Sequence, residues 1–265
     1  MTDPQVGTGL IREAKSIMAD NARGRVKVET GAKRVRLYLE NRLVADTLTP
    51  LLVWEKPFYP TYYVPAKDVL ADLKPTGESE HSPSRGDAQV HDVLLAGATA
   101  PGKARTVPES PLEELRDAVR FDFDAFDWFE EDEPIYTHPR DPYSRIDVVA
   151  SSRHFRAELD GVLLADSPNS MIAFETGLPP RYYVPITALN QDILRPSETV
   201  THCPYKGAAT YWSVQIGEEV RDDIIWGYRT PFAEVQKIAG LAAVYNEKVD
   251  IFLDGVLQER PKPRY

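Results

Sequence analysis

Arg34-Val35-Arg36-Leu37-Tyr38-Leu39-Glu40-Asn41-Arg42-Leu43-Val44-Ala45-Asp46-Thr47 decides the fold. Val35, Leu37 and Leu39 alternate with Arg36, Tyr38 and Glu40 at the period of a strand, and Asn41 marks a tight turn before a second apolar run. His154-Phe155-Arg156-Ala157-Glu158-Leu159 reads the same way, with Asp160-Gly161 turning the chain into Val162-Leu163-Leu164-Ala165. The hairpins stand 120 residues apart, and their surroundings repeat too. Val44-Ala45-Asp46-Thr47 answers Leu164-Ala165-Asp166-Ser167, and Tyr62-Tyr63-Val64-Pro65 answers Tyr182-Tyr183-Val184-Pro185. A one-residue insertion raises the offset to 121, so His81-Ser82-Pro83-Ser84-Arg85-Gly86 falls on His202-Cys203-Pro204-Tyr205-Lys206-Gly207. A period this long is domain duplication, since solenoid repeats are far shorter.

Further strands are expected at 51–54 and 171–174, 61–64 and 181–184, 89–95 and 210–216, and 126–129 and 249–252, where aromatic and β-branched residues dominate. Short helical turns are expected after Pro65 and Pro185, ended by Pro75 and Pro196. Ser110-Pro111 with Glu113, and Thr230-Pro231 with Gly240 as the stop, read as helix boundaries. Residues 96–110, rich in small residues and proline, read as a mobile loop. The fold class is mainly β: two tandem sandwich-like or barrel-like modules with short helices. Residues 1–33 form a lead-in with a helix over 9–21, 34–136 the first repeat, 137–152 a stiff linker, and 153–265 the second repeat.

Composition narrows the function. The 265 residues carry Lys+Arg 31 against Asp+Glu 41, a formal charge of −10 that repels polyanions and disfavours nucleic-acid and anionic-membrane partners. No apolar run approaches the roughly 20 residues of a membrane helix, and no signal-like leader opens the chain, so a soluble cytoplasmic protein is expected. One cysteine excludes an intrachain disulfide or a multi-cysteine metal site, and with five histidines a metal centre would rest mostly on carboxylates. The acidic run Glu130-Glu131-Asp132-Glu133 has no metal-loop spacing and reads as a solvated turn. No dinucleotide or phosphate loop is present, so neither a cofactor nor a metal is expected.

Three motifs carry a family resemblance: Thr201-His202-Cys203-Pro204-Tyr205-Lys206-Gly207 followed by Tyr211-Trp212, the upstream Phe174-Glu175-Thr176-Gly177-Leu178-Pro179-Pro180-Arg181-Tyr182-Tyr183, and His138-Pro139-Arg140-Asp141-Pro142-Tyr143. Together they resemble the bacterial family called domain of unknown function 427, over almost everything after residue 34. The resemblance implies a β-tent fold, two sheets leaning on each other, in a tandem arrangement. It implies no settled activity, although a nucleotidyltransferase label is attached to the family. That chemistry needs a Gly-Ser pair and an Asp-x-Asp pair holding two metal ions. Asp122-Phe123-Asp124 supplies the acids without the Gly-Ser, and the stretch read as its counterpart, Leu241-Ala242-Ala243, has none.

The second copy alone keeps a reactive set, and that is where a site is expected. Lys206, Tyr205 and Cys203 offer a cation, a proton donor and a nucleophile, and are the catalytic candidates. The plain alternative is a packed thiol, a packed phenol and a surface salt bridge. His202 could pair with the Cys203 thiol, or hold a turn as His81 would. Glu175, Arg181 and Tyr182 could join Lys206 in one cleft, and Trp212, read as the counterpart of Asp92, could stack a planar ligand or simply fill the core.

These residues suit a small polar or anionic metabolite, bound or transformed by non-redox hydrolase, lyase or isomerase chemistry. The first repeat would then be a degenerate copy. The rival reading is a non-catalytic interaction or scaffold protein; the sequence leaves homo-oligomerisation open.

Overall fold

The computed structural model describes residues 26–56 and 58–262; the helix expected over 9–21 lies outside them. The chain divides into two units between Asp141 and Pro142. The first unit contains β1 (Lys27–Thr30), β2 (Val35–Leu39), β3 (Arg42–Thr47), β4 (Leu51–Lys56), β5 (Tyr59–Pro65), β6 (Asp72–Ser82), β7 (Gly86–Leu95), β8 (Ala98–Thr106), β9 (Ala118–Phe121), β10 (Asp127–Glu130) and β11 (Glu133–Ile135). The second contains β12 (Ile146–Ser151), β13 (Phe155–Leu159), β14 (Val162–Ser167), β15 (Ser170–Glu175), β16 (Arg181–Pro185), β17 (Leu194–Cys203), β18 (Gly207–Ile216), β19 (Glu219–Gly227), β20 (Leu241–Val244), β21 (Asp250–Leu253) and β22 (Val256–Leu257).

Among the described residues the first unit forms a seven-stranded sheet, β1-β4-β5-β9-β8-β7-β6, and a four-stranded sheet, β11-β10-β2-β3. The second forms β12-β15-β16-β20-β19-β18-β17 and β14-β13-β21-β22, the same two orders with every strand number raised by eleven. The duplication in the sequence is therefore a duplication of topology.

The opening hairpins form as their turn residues dictate. Glu40 and Asn41 (φ 49 and 63) and Asp160 and Gly161 (φ 51 and 78) are consecutive left-handed residues, the turn whose twist matches that of the strands. Alternation then buries Val35, Leu37 and Leu39, with Trp128 of the same sheet, against Val64, Val93 and Phe121 from the large sheet. In the second unit Phe155, Ala157 and Leu159 meet Val184, Val214, Ile225 and Val244. Each fully buried side chain of this size contributes about 1.5–3 kcal/mol. The other face of each large sheet carries its own cluster. In the second unit it is aromatic, with Tyr183, Tyr211, Trp226 and Tyr228 packed on Val235 and Ile238.

Several local expectations are corrected. Residues 96–110 contain β8, a full partner of β7 and β9. Pro101 and Gly102 sit where the β7–β8 register shifts, and the Gly102 N–H bonds the Asp92 carboxylate at 2.7 Å, so a bulge absorbs the proline. Pro75 and Pro196 do not end helices; they lie within β6 and β17, edge strands whose register also shifts there. The helix signals at Ser110 and Thr230 yield only 3-10 turns, Glu113–Leu115 and Ala233–Ile238, because the segments are too short to nucleate an α-helix. β12 occupies much of the span read as linker and β1 part of the lead-in, each pairing with the next apolar strand of its sheet. Glu130 is not in a solvated turn: it is 7% exposed, bonded by Lys33 and by the Tyr62 hydroxyl at 3.0 Å.

Candidate functional site

The β17–β18 turn builds the site. The Lys206 N–H closes on the Cys203 carbonyl at 3.3 Å, and Gly207, at φ +98, supplies the left-handed residue from which β18 resumes. Strand alternation places Cys203 with Thr201, Ala209 and Tyr211 on the aromatic face of the large sheet, where the Thr201 and Tyr211 hydroxyls lie 2.8 Å apart.

Over this face the Lys206 ammonium donates to Glu175 at the end of β15, 2.5 Å away, with both side chains only 12% exposed. Tyr183 and Tyr228 surround the pair. Burial above all, with smaller contributions from neighbours that include Cys203 and Glu175, pushes both phenols well above the ordinary tyrosine range, so they stay neutral. Trp226 lies against Tyr245 with centroids 4.4 Å apart and edge-on to Tyr183 at 6.4 Å.

Arg181 occupies the same face but does not join Lys206. Its guanidinium makes two 2.7 Å bonds to Glu247 and lies 5.6 Å from the Trp226 ring and 5.9 Å from that of Tyr245. Burial pushes the Glu247 carboxyl up, but the Arg181 hydrogen bonds and charge pull it net below the usual carboxylate range.

Three expected residues lie elsewhere. Tyr182 and Trp212 are on the opposite face, packed into the core shared with the small sheet. His202 is exposed, and as the strand neighbour of Cys203 its side chain leaves by the other face, so the two do not form a thiol–imidazole dyad. Tyr205 is half-buried within the turn. The register also replaces two counterparts. Pro75 faces His91 as Pro196 faces Trp212, so Trp212 answers His91 rather than Asp92. Arg120 faces Tyr63 as Ala243 faces Tyr183, so Asp122-Phe123-Asp124 answers Tyr245-Asn246-Glu247 and not Leu241-Ala242-Ala243.

The first unit repeats the frame with different chemistry. Glu55 accepts from the Tyr63 hydroxyl at 2.6 Å and faces Arg85 at 3.4 Å. Arg120 bridges Glu55 (3.9 Å) and Asp122 (3.4 Å), and Asp122 also meets Arg105 (3.1 Å) and Lys103 (3.3 Å). Where the second unit surrounds its pair with rings, the first uses ions, and Asp122 of the Asp-x-Asp pair is held by three cations.

One family model matches the chain twice, over residues 27–132 and 147–255, one match per unit. The chain belongs to the family described as domain of unknown function 427. No curated protein matches it. In this DUF427 chain no helix among the described residues is long and apolar enough to cross a membrane.

Tyr183, Trp226, Tyr228, Tyr245 and Glu247 escaped the sequence reading. Tyr183 has its counterpart in Tyr63, so a comparison of the repeats does not single it out. Trp226 answers Arg105, a repeat difference as pronounced as the change from Ser82 to Cys203. Once the two DUF427 repeats are paired through β8 and β19, that signal is plain.

Proposed function

We propose that the protein binds a small polar or anionic metabolite at the aromatic face of its second repeat, with Lys206 as the anion contact. One observation carries this reading. Among the described residues, the Lys206 ammonium bonds Glu175 alone, which leaves donors of a nearly buried cation unspent. A buried ion pair is a costly way to hold a fold. Trp226 and Tyr245 supply flat apolar walls, and Arg181, held by Glu247, fixes a second positive edge. Cys203 and the neutral phenols of Tyr183 and Tyr228 supply a thiol and proton donors for non-redox chemistry of the hydrolase, lyase or isomerase kind.

The test is a thermal-shift screen of carboxylates, phosphate esters and neutral polar metabolites, followed by calorimetry on any hit. An anionic hit whose affinity falls at least tenfold in Lys206→Met and only slightly in Asn190→Ala supports the site. Hits that bind Lys206→Met as well as the unaltered protein sink it.

A further inference from the structure

The first repeat holds a cavity of about 790 Å³ beside Tyr38, Phe123, Phe126, Trp128 and Phe129, remote in sequence from the Glu55–Arg85 pair. Its walls are ordered rings. Trp128 stacks on Phe123 at 5.2 Å and 3°, donates its indole N–H to the Phe123 carbonyl at 3.0 Å, and has Tyr62 behind it at 6.1 Å. Tyr38 and Phe129 meet edge to face at 5.5 Å.

The charges around these rings do not balance. Arg36, the cation of the lining, is bonded to Asp132 at 2.6 Å and to the Glu131 carbonyl. Asp124 and Asp127 also line the cavity; both are exposed, and neither forms an ion pair among the described residues. Two uncompensated carboxylates beside aromatic walls favour a cation and repel an anion.

The second repeat lacks this arrangement. The counterparts of Phe123, Phe126 and Trp128 are Asn246, Val249 and Ile251. Those of Asp124 and Asp127 are closed off, Glu247 by Arg181 at 2.7 Å and Asp250 by Arg260 at 2.7 Å. The first repeat is thus not merely a degenerate copy; it keeps rings and free acids that the second has exchanged.

We propose that this cavity of the first repeat binds a small organic cation, an ammonium group carried on a flat or branched apolar body. The ammonium would sit between Asp124 and Asp127, and the apolar body against Phe123 and Phe129. The site is independent of Lys206, so the chain would hold two ligands of opposite charge, one in each repeat.

Isothermal titration of the full chain with benzyltrimethylammonium, beside phenylacetate and benzyl alcohol as anionic and neutral controls of similar shape, tests this. Saturable binding of the cation at least tenfold tighter than either control is expected, weakening as salt rises. Asp124→Asn with Asp127→Asn, both exposed and therefore harmless to folding, should lower the affinity at least tenfold. Glu175→Leu with Lys206→Met should leave cation binding unchanged, which separates this site from the one in the second repeat. No saturable binding, equal binding of the controls, or undiminished affinity in the Asp-to-Asn pair would each overturn the proposal.

Discussion

Glu55 stands to Arg85 in the first repeat as Glu175 stands to Lys206 in the second: a carboxylate at the end of the fourth strand faces the base of the His-x-Pro-x-base-Gly turn, at 3.4 Å in one copy and 2.5 Å in the other. The pair belongs to the frame of the module. A tyrosine, Tyr63 or Tyr183, is common to both, and the other neighbours differ: Arg120, Arg105 and Asp122 in one copy, Trp226 and Tyr228 in the other.

Removing one partner of such a pair leaves the other buried and uncompensated. Lys206→Met should therefore destabilise the second repeat by about 3 kcal/mol, while Glu175→Leu added to it should recover most of that loss. Urea denaturation of the single and double variants measures both. A double variant as unstable as the single one would mean that the pair does not behave as a unit.

Acid should weaken the second repeat through Glu247. Its carboxyl is held below the ordinary 4.5, so its contribution is fully present above that value and is lost as pH falls through the lower folded value. Glu247→Gln should be less stable than the unaltered protein at neutral pH, with the difference shrinking below pH 4.5. Denaturant midpoints across that range give the answer.

The first repeat should respond at a higher pH. His91 is 7% exposed, with Nε2 2.9 Å from the Thr106 hydroxyl, and burial pushes its imidazole below the ordinary 6.5. The neutral ring is the folded form. Stability is therefore fully present above pH 6.5 and declines as pH falls from there toward the folded value. His91→Gln should flatten this part of the stability curve; an identical slope in the variant would assign it to another group.

A single methyl tests how closely β19 and β20 pack. A Cβ on Gly227 would lie 2.5 Å from the Leu241 carbonyl oxygen, a backbone atom that cannot swing away. Gly227→Ala should cost about 1–3 kcal/mol. Hydrogen exchange should show the loss in the amides of Trp226, Ala242 and Ala243, with the first repeat unaffected.

Much of this architecture was legible in the chain. Alternation at Val35, Leu37 and Leu39 and at Phe155, Ala157 and Leu159 is a local signal with one physical reading, a half-buried strand. The repeat then carried every strand assignment in one copy to the other. The prolines and small residues of β6, β8 and β17 misled because those strands carry irregular pairing, which tolerates what a central ladder would not. Of the expected site, Cys203, Lys206 and Glu175 share a face, Arg181 shares it through a different partner, and Tyr182 and Trp212 do not.

The sequence by itself determined the β class, the duplication and the chemistry confined to each copy, because alternation, turn residues and repeat differences are properties of order along the chain. Tertiary structure decided which of those side chains meet. A strand sends neighbours to opposite faces, and one bulge shifts every later residue in the pairing. So Lys206 reached Glu175 across 31 positions, while Trp212, six residues away, was turned into the core.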